Sequence, residues 1–240
     1  MNSTELKLCY DICTPDKNGL PVIVVAAGSS SRMQGQNKQF IELGGIPVIA
    51  RTLLSFENCP IIKNIILVVR AEDVFSLQML AEKYGISKLS DIVCGGDSRQ
   101  ESVLKGFSRL GKDETAVLIH DGARPLITDQ IISSVADSLK EHSAVTCAVK
   151  VKDTIKEIDQ NGKVTKTLNR EKLVAVQTPQ GVKVEDYLAA VEKLGDVKNF
   201  TDDTSIMEAA GYDVYTVDGS YKNIKITTPE DIPAAESFLE

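Results

Sequence analysis

Short apolar runs recur along this chain, separated by stretches that read as helices. Runs at 21–27, 64–69, 116–120, 143–150 and 212–217 have the length and Val/Ile content of buried strands. Helices are expected over 46–56, 74–84, 99–110, 128–140, 184–194, 203–210 and 230–238. The alternation predicts an α/β protein, a mostly parallel sheet with helices on both faces. Thr228 before Pro229 fits a capped start of the last helix, with proline at its first position.

The stretch 153–180 breaks the alternation. It reads as two strands joined by the turn Asp159-Gln160-Asn161-Gly162, and Asn-Gly is the strongest short hairpin signal. Its flanks are too polar to build a core of their own, and a lone hairpin is marginal in water. The hairpin must therefore pack on something, either a partner subunit or its own domain. Residues 1–20 look like a short polar extension, and 21–240 like one domain with a β-arm insertion at about 153–178.

Composition narrows the partners. The 240 residues, 42% hydrophobic and 25% charged, suit a soluble enzyme domain with a large core. A net charge of −7 argues against nucleic acid as the main partner, so cations must be concentrated locally. The five cysteines are scattered without C-x-x-C spacing, and His120 and His142 do not complete a zinc set. An odd count points to reduced thiols and a cytoplasmic protein, with Cys59, Cys94 and Cys147 as small core residues. No apolar stretch reaches membrane-spanning length, and the N-terminus lacks an export pattern.

The candidate chemistry starts at VVAAGSSSRMQGQNKQF, where an apolar strand ends in Gly28 and opens into three serines, then Arg32 and Lys38. Gly28 permits a sharp turn, small residues leave N–H groups facing an anion, and two cations stand beside that cradle. The pattern implies binding and activation of a polyphosphate. It is neither a Walker loop, G-x-x-x-x-G-K-[ST], nor the dinucleotide fingerprint G-x-G-x-x-G. A serine-rich surface turn with solvated cations is the plain alternative.

Four more segments place polar groups at strand ends, where open α/β sheets bind ligands. In VCGGDSRQES, Gly95 and Gly96 allow close backbone approach, while Asp97, Arg99 and Ser102 can hydrogen-bond a base or ribose. In VLIHDGARP a buried strand delivers Asp121 to its tip. Beside a polyphosphate such a carboxylate commonly holds Mg²⁺, and Arg124 can fork onto a phosphate. An Asp121–Arg124 ion pair bracing the turn would explain the same residues, and His120 reads as one more inward strand residue. The arm carries Thr154, Arg170 and Thr178, which suggest a second anion pocket. In FTDDTSIMEAAG, Thr201 can cap the helix that Asp202 and Asp203 open. Lys225 stands in an alternating strand at 223–227, sharing a polar face with Asn223 and Thr227.

Together these segments imply one site for a nucleoside polyphosphate and another for a phosphorylated acceptor. A phosphate monoester is near its dianion at neutral pH, with a second pKa of about 6. It is already a nucleophile and needs no general base. The protein has only to align it with the nucleotide's α-phosphorus and neutralise the gathering charge.

In this order, AAGSSSRM, NKQF, GGDSRQESV, HDGARP, DTIK, TLNR, QTPQ, TDDTSIMEAAG and NIKITTPED resemble the 2-C-methyl-D-erythritol 4-phosphate cytidylyltransferase family, from about Pro21 onward. The resemblance implies a Rossmann-like fold with a protruding β-hairpin arm. It implies a reaction of CTP with methylerythritol phosphate that gives the CDP-alcohol and pyrophosphate, in the non-mevalonate isoprenoid route. Arg32 and Lys38 match the pair that stabilises charge at the α-phosphate, and Ala26, Ala27, Gly28, Ser29 and Ser30 match the triphosphate cradle. Gly95, Gly96, Asp97, Arg99 and Ser102 match the cytidine loop, and Asp121 an acidic residue near Mg²⁺ and the acceptor. Arg170 and Lys225 match residues that position the acceptor phosphate, supported by Arg124, Thr154, Thr178 and Thr201. In that family the arm reaches across a homodimer, so Thr154 and Arg170 are expected to serve the neighbour's site.

The chain departs from the family in having Ser30 for a glycine, Asn37 for a proline and Asn169 for an aspartate. Ser30 restricts positive φ in the loop. Ribitol 5-phosphate cytidylyltransferases share the chemistry but resemble AGG and HDSVRP where this chain has AAG and HDGARP. A non-catalytic nucleotide-binding regulator would have lost Arg32, Lys38 or Lys225. A nicotinamide dehydrogenase would need the missing glycine fingerprint.

Overall fold

In the computed structural model the described residues are 19–28 and 37–239. Most of the N-terminal extension, Ser29, Ser30 and Arg32 lie outside them. In chain order the elements are β1 (Leu20–Val25), β2 (Glu42–Leu43), β3 (Ile46–Pro47), α1 (Val48–Asn58), β4 (Ile62–Val69), α2 (Val74–Lys83), β5 (Leu89–Cys94), α3 (Arg99–Phe107) and β6 (Ala116–Asp121). The second half adds α4 (Asp129–Ser138), β7 (Ala144–Lys150), β8 (Lys156–Ile158), β9 (Val164–Thr167), β10 (Val174–Lys183), α5 (Val184–Leu194), α6 (Asp203–Ala210), β11 (Val214–Asp218) and α7 (Asp231–Glu236).

Seven strands form one sheet in the order β11-β7-β10-β6-β1-β4-β5. Neighbours are parallel throughout, except that β10 runs antiparallel to both β6 and β7. Alternate residues of the central strands enter two cores. Val22, Val24, Ile65 and Leu67 meet α1, α2 and α4 through Leu53, Phe56, Leu77 and Val135. Ile23, Ile66, Val68 and Ile119 meet α3, α5 and α6 through Phe107, Tyr187 and Met207. Burial on both faces is why these strands read as unbroken apolar runs. A third cluster of Leu43, Val48, Ala123, Ile226 and Ala235 pins the C-terminal segment beside the end of β6.

The arm is shorter than its sequence suggests. Only β8 and β9 form the hairpin, closed as expected at Asp159–Gly162, with Gly162 at φ 80° and its N–H bonded to the Asp159 carbonyl at 3.0 Å. Residues 174–183 leave the arm and enter the main sheet as β10. The buried part of β10 carries Gln177, Thr178 and Gln180, each hydrogen-bonded internally, so no apolar pattern marks it as a central strand.

Other local readings also change. Ile46–Pro47 pairs with Glu42–Leu43, which delays α1 to Val48. Asp202 rather than Thr201 caps α6, in a capping box with Ser205, and α7 starts at Asp231, two residues beyond Pro229. Residues 223–227 form no strand; the Ile226 N–H bonds the Ala123 carbonyl at 2.8 Å instead. Cys59 and Cys147 are core residues, whereas Cys94 is exposed at the end of edge strand β5. No helix among the described residues is long and apolar enough to cross a membrane.

Candidate active site

Strand order reverses at β1, which has β4 on one side and β6 on the other, and the carboxyl ends of these strands open into a crevice. A cavity of about 450 Å³ there is lined by Ala27, Gly28, Lys38, Gly96, Asp97, Arg99, Ser102, Asp121 and Lys225. A second cavity of about 240 Å³ adjoins it, lined by Arg124, Thr178 and Thr201 among others. Both share Arg99, Asp121 and Lys225 as a common wall. Sequence reasoning had assigned most of these residues to two anion sites, and the fold brings both sets to one crevice.

The loop after β5 is shaped by the first turn of α3. Ser102 Oγ accepts the Gly96 N–H at 3.0 Å, the Glu101 carboxylate accepts the Asp97 N–H at 2.8 Å, and Ser98 Oγ accepts the Glu101 N–H at 3.1 Å. A Cβ on Gly95 would stand 2.4 Å from Ala27 Cβ, and one on Gly96 2.5 Å from Glu101 Cβ. Both glycines are therefore required by close approach. Ser102 is buried, and its hydroxyl braces the loop from behind. Gly28 differs: no described atom lies within 4 Å of a Cβ built there.

The shared wall is an ion cluster. Lys225 Nζ stands 2.9 Å from Asp121 Oδ2, Arg124 Nε 3.4 Å from the same oxygen, and Arg99 Nε 3.5 Å from Oδ1. Burial alone would push the Asp121 carboxyl up, but the charges of Lys225, Arg99 and Arg124 hold it well below the usual carboxylate range. Arg99 is anchored from below by fully buried Asp203, Nη1 to Oδ2 at 2.7 Å, and Tyr187 donates to the other Asp203 oxygen at 3.1 Å. Burial opposes the Arg99 charge, yet Asp203 and Asp121 raise its pKa and keep it cationic.

Beneath the wall, His120 is fully buried. Its Nε2 lies 3.2 Å from the Arg124 carbonyl and its Nδ1 3.0 Å from Thr178 Oγ1. A carbonyl can only accept, so Nε2 carries the proton. Thr178 then donates to Nδ1 while its oxygen accepts the Asp121 N–H at 3.1 Å. Burial pushes the imidazole down to about 4, so it is neutral at physiological pH and serves as a brace. Asn223 Nδ2 donates to the Thr178 carbonyl at 2.9 Å, and Arg124 donates to the Asn223 carbonyl at 2.8 Å, which fixes the segment carrying Lys225.

Two predicted residues stay apart. Thr154 and Arg170 are exposed and line neither cavity of their own chain; Arg170 donates to the Lys152 carbonyl at 2.9 Å. Ala26 and Gly95 line neither cavity: Ala26 is buried, and Gly95 packs closely against Ala27. Sequence reasoning gave Asp203 only a helix-start role and passed over Gln180, whose Oε1 accepts the Asp203 N–H at 2.9 Å. The Asp203 signal was available: Asp203, Ile206, Met207 and Ala210 share one helical face, and that face is buried.

The comparisons with known proteins agree with this geometry. The family model described as "IspD: 2-C-methyl-D-erythritol 4-phosphate cytidylyltransferase" matches residues 20–240. The chain belongs to that family. A cytidylyltransferase of the same name from Clostridium novyi is 48% identical over 91% of this chain and 95% of its own length. Its counterpart from Halalkalibacterium halodurans is 45% identical over 91% and 96%. A crystal structure of 4-diphosphocytidyl-2C-methyl-D-erythritol synthase from Anaerococcus prevotii superposes with a TM-score of 0.82 at 34% identity, covering 94% of this chain and 98% of that one. The family's Rossmann-like architecture and a nucleotidyltransferase activity follow for this chain.

Proposed function

We infer that this member of the family joins CTP to 2-C-methyl-D-erythritol 4-phosphate, giving 4-diphosphocytidyl-2-C-methyl-D-erythritol and pyrophosphate in non-mevalonate isoprenoid synthesis. The observation that carries the reading is the pair of adjoining cavities with Arg99, Asp121 and Lys225 as their common wall. CTP takes the larger cavity, its base against the loop at Gly96–Asp97 and its phosphates toward Gly28, Lys38 and, outside the described residues, Arg32. The acceptor takes the smaller one, against Arg124, Thr178 and Thr201. Its phosphate oxygen bonds to the α-phosphorus as the bond from that phosphorus to the bridging oxygen breaks, and pyrophosphate leaves. No protein base is needed because the phosphate arrives ionised. Lys38, Arg32 and Lys225 meet the charge that builds on the phosphoryl oxygens, where fixed cations contribute most.

Mg²⁺ fits this crevice in one particular way. Among the described residues no group of three or more His, Cys, Asp or Glu could hold a metal. Asp121 offers one carboxylate at a polar cavity, which suits an ion bound through a carboxylate, waters and substrate phosphates rather than a protein cage. Asp121 would hold it, and the ion would supply charge neutralisation of the triphosphate. The arm would join a homodimer, carrying Thr154 and Arg170 to the neighbour's acceptor pocket, and the enzyme would work in the cytoplasm.

The test is pyrophosphate release with CTP and Mg²⁺, with methylerythritol phosphate and ribitol 5-phosphate offered separately. Turnover of the first alone, abolished by EDTA and restored by Mg²⁺, supports the reading. Preference for ribitol 5-phosphate overturns the pathway while keeping the chemistry. CTP binding without turnover of either would make the chain a regulator.

A further inference from the structure

Lys38 sits on a short 3-10 turn, Lys38–Phe40, directly after the loop whose other cation is Arg32. Such a turn is one hydrogen-bonded ring long and has little stiffness of its own. Asn37 stands at its N-cap with φ −76°, and its side chain points both ways. Oδ1 accepts the Gln39 N–H at 3.2 Å, closing the turn from the front. Nδ2 reaches Asp73, 3.1 Å from Oδ1 and 3.2 Å from Oδ2, across 36 residues of sequence.

Asp73 is itself held. It is 6% exposed, and Arg70 grips both its oxygens, Nε to Oδ2 at 2.7 Å and Nη2 to Oδ1 at 3.1 Å. Arg70 follows β4 directly, so the chain Asn37–Asp73–Arg70 runs from the Lys38 turn to the central sheet. Gln39, almost fully buried, adds a longer contact from Nε2 to the Ala26 carbonyl at 3.5 Å, on the segment that leads into Gly28.

We propose that Asn37 is the positioning residue for Lys38, tying its turn through Asp73 and Arg70 to the end of β4. The proposal rests on the reading of Lys38 as a cation at the α-phosphate and says what places it there. Asn37 does not line either cavity, so its contribution acts through the turn. The backbone angle suggests a second way to hold the same turn. A φ of −76° lies inside the range that a proline ring enforces, roughly −65 ± 15°.

The experiment compares Asn37→Ala and Asn37→Pro. Asn37→Ala should lower kcat by about 10- to 100-fold, the order expected when a catalytic group is misplaced by about an ångström. KM for methylerythritol phosphate and Tm should stay near wild type, a split that a general loss of folding does not produce. Asn37→Pro, which lacks the side chain but fixes φ, should recover most of the lost kcat. Amide exchange at Gln39, followed without substrates, should speed up at least tenfold in Asn37→Ala. Wild-type kcat in Asn37→Ala, or unchanged Gln39 exchange, overturns the proposal. A matched fall in Tm with kcat in both variants overturns it too, by making Asn37 a general structural residue. If the wild-type chain releases no pyrophosphate at all, the substrate reading fails, and the exchange measurement still decides the tether.

Discussion

The crevice and the arm are built on opposite terms. In the crevice almost every charged group is gripped by another: Arg99 by Asp203, Asp121 by Lys225, and the segment bearing Lys225 by Asn223 and Arg124. In the arm every residue of β8 and β9 is exposed, and the facing pair Ile158 and Val164 stands 64% and 51% open. Ion pairs interlocked in a partly buried wall hold one another's geometry without a ligand. An apolar pair on a two-stranded ribbon does not form a core by itself. The charged groups of the crevice brace one another within the chain, whereas β8 and β9 bury none of their own residues.

Breaking the crevice should give the largest effects. Asp203→Ala removes the buried counter-charge of Arg99 and the acceptor of the Tyr187 hydroxyl. Removing one partner of a buried ion pair costs about 3–5 kcal/mol, here at the lower end because Arg99 keeps its 3.5 Å contact with Asp121, and the loss is readable as a shift in the urea midpoint. A loss below about 1 kcal/mol would mean that the wall is less interlocked than its distances imply. Lys38→Ala should act on rate rather than stability. Removing one donor from a developing phosphoryl charge costs about 10²–10³ in kcat, with Tm unchanged and KM values moved far less.

The arm should respond differently. Arg170→Ala should raise KM for methylerythritol phosphate about 10- to 100-fold, the loss of one charge-assisted phosphate contact, while CTP binding measured by calorimetry stays near wild type. Mixing tests the exchange between subunits directly. If the arm serves the neighbour, a heterodimer of one Lys38→Ala chain and one Arg170→Ala chain has one crevice with both residues intact. Assayed with methylerythritol phosphate well below the wild-type KM, where both parent homodimers are nearly silent, random reassortment should then restore about a quarter of wild-type activity, because half the dimers are mixed and half their sites are whole. An inactive mixture would put the arm back on its own domain and remove half of the contrast.

Legibility followed the same divide for a physical reason. The central strands announced themselves because both faces are apolar, and the crevice could be located because glycines and charges cluster where those strands end. The β10 strand was hidden because its buried side chains are amides and hydroxyls. Gln180 satisfies both its amide groups internally, donating to Asp202 at 2.7 Å and accepting from the Asp203 N–H at 2.9 Å. Satisfied polar burial leaves no periodic trace, since the partner that makes it tolerable is remote in sequence. Asp73, partner to Asn37 and Arg70, was missed for the same reason.

The smallest effect separates the crevice floor from everything above it. His120 bonds Arg124 and Thr178 only as a neutral imidazole, and burial lowers its pKa from the ordinary 6.5 to about 4. A depressed histidine means that the unfolded chain binds the proton more readily. Stability is therefore fully present above about pH 6.5 and falls as pH drops toward 4. At pH 5 the loss from this one group is about 2 kcal/mol, from 1.36 kcal/mol per unit below the unfolded value. Asp121 works the same way but only at lower pH, since its carboxyl is held down by Lys225, Arg99 and Arg124. Between pH 7 and 5 His120 should supply the destabilising slope, opposed by buried Asp203, whose carboxyl is raised by burial and so acts in the other direction. His120→Gln cannot titrate there, so its stability should start lower and run flatter across that range. A variant whose curve stays parallel to wild type would move the acid sensitivity out of the crevice floor.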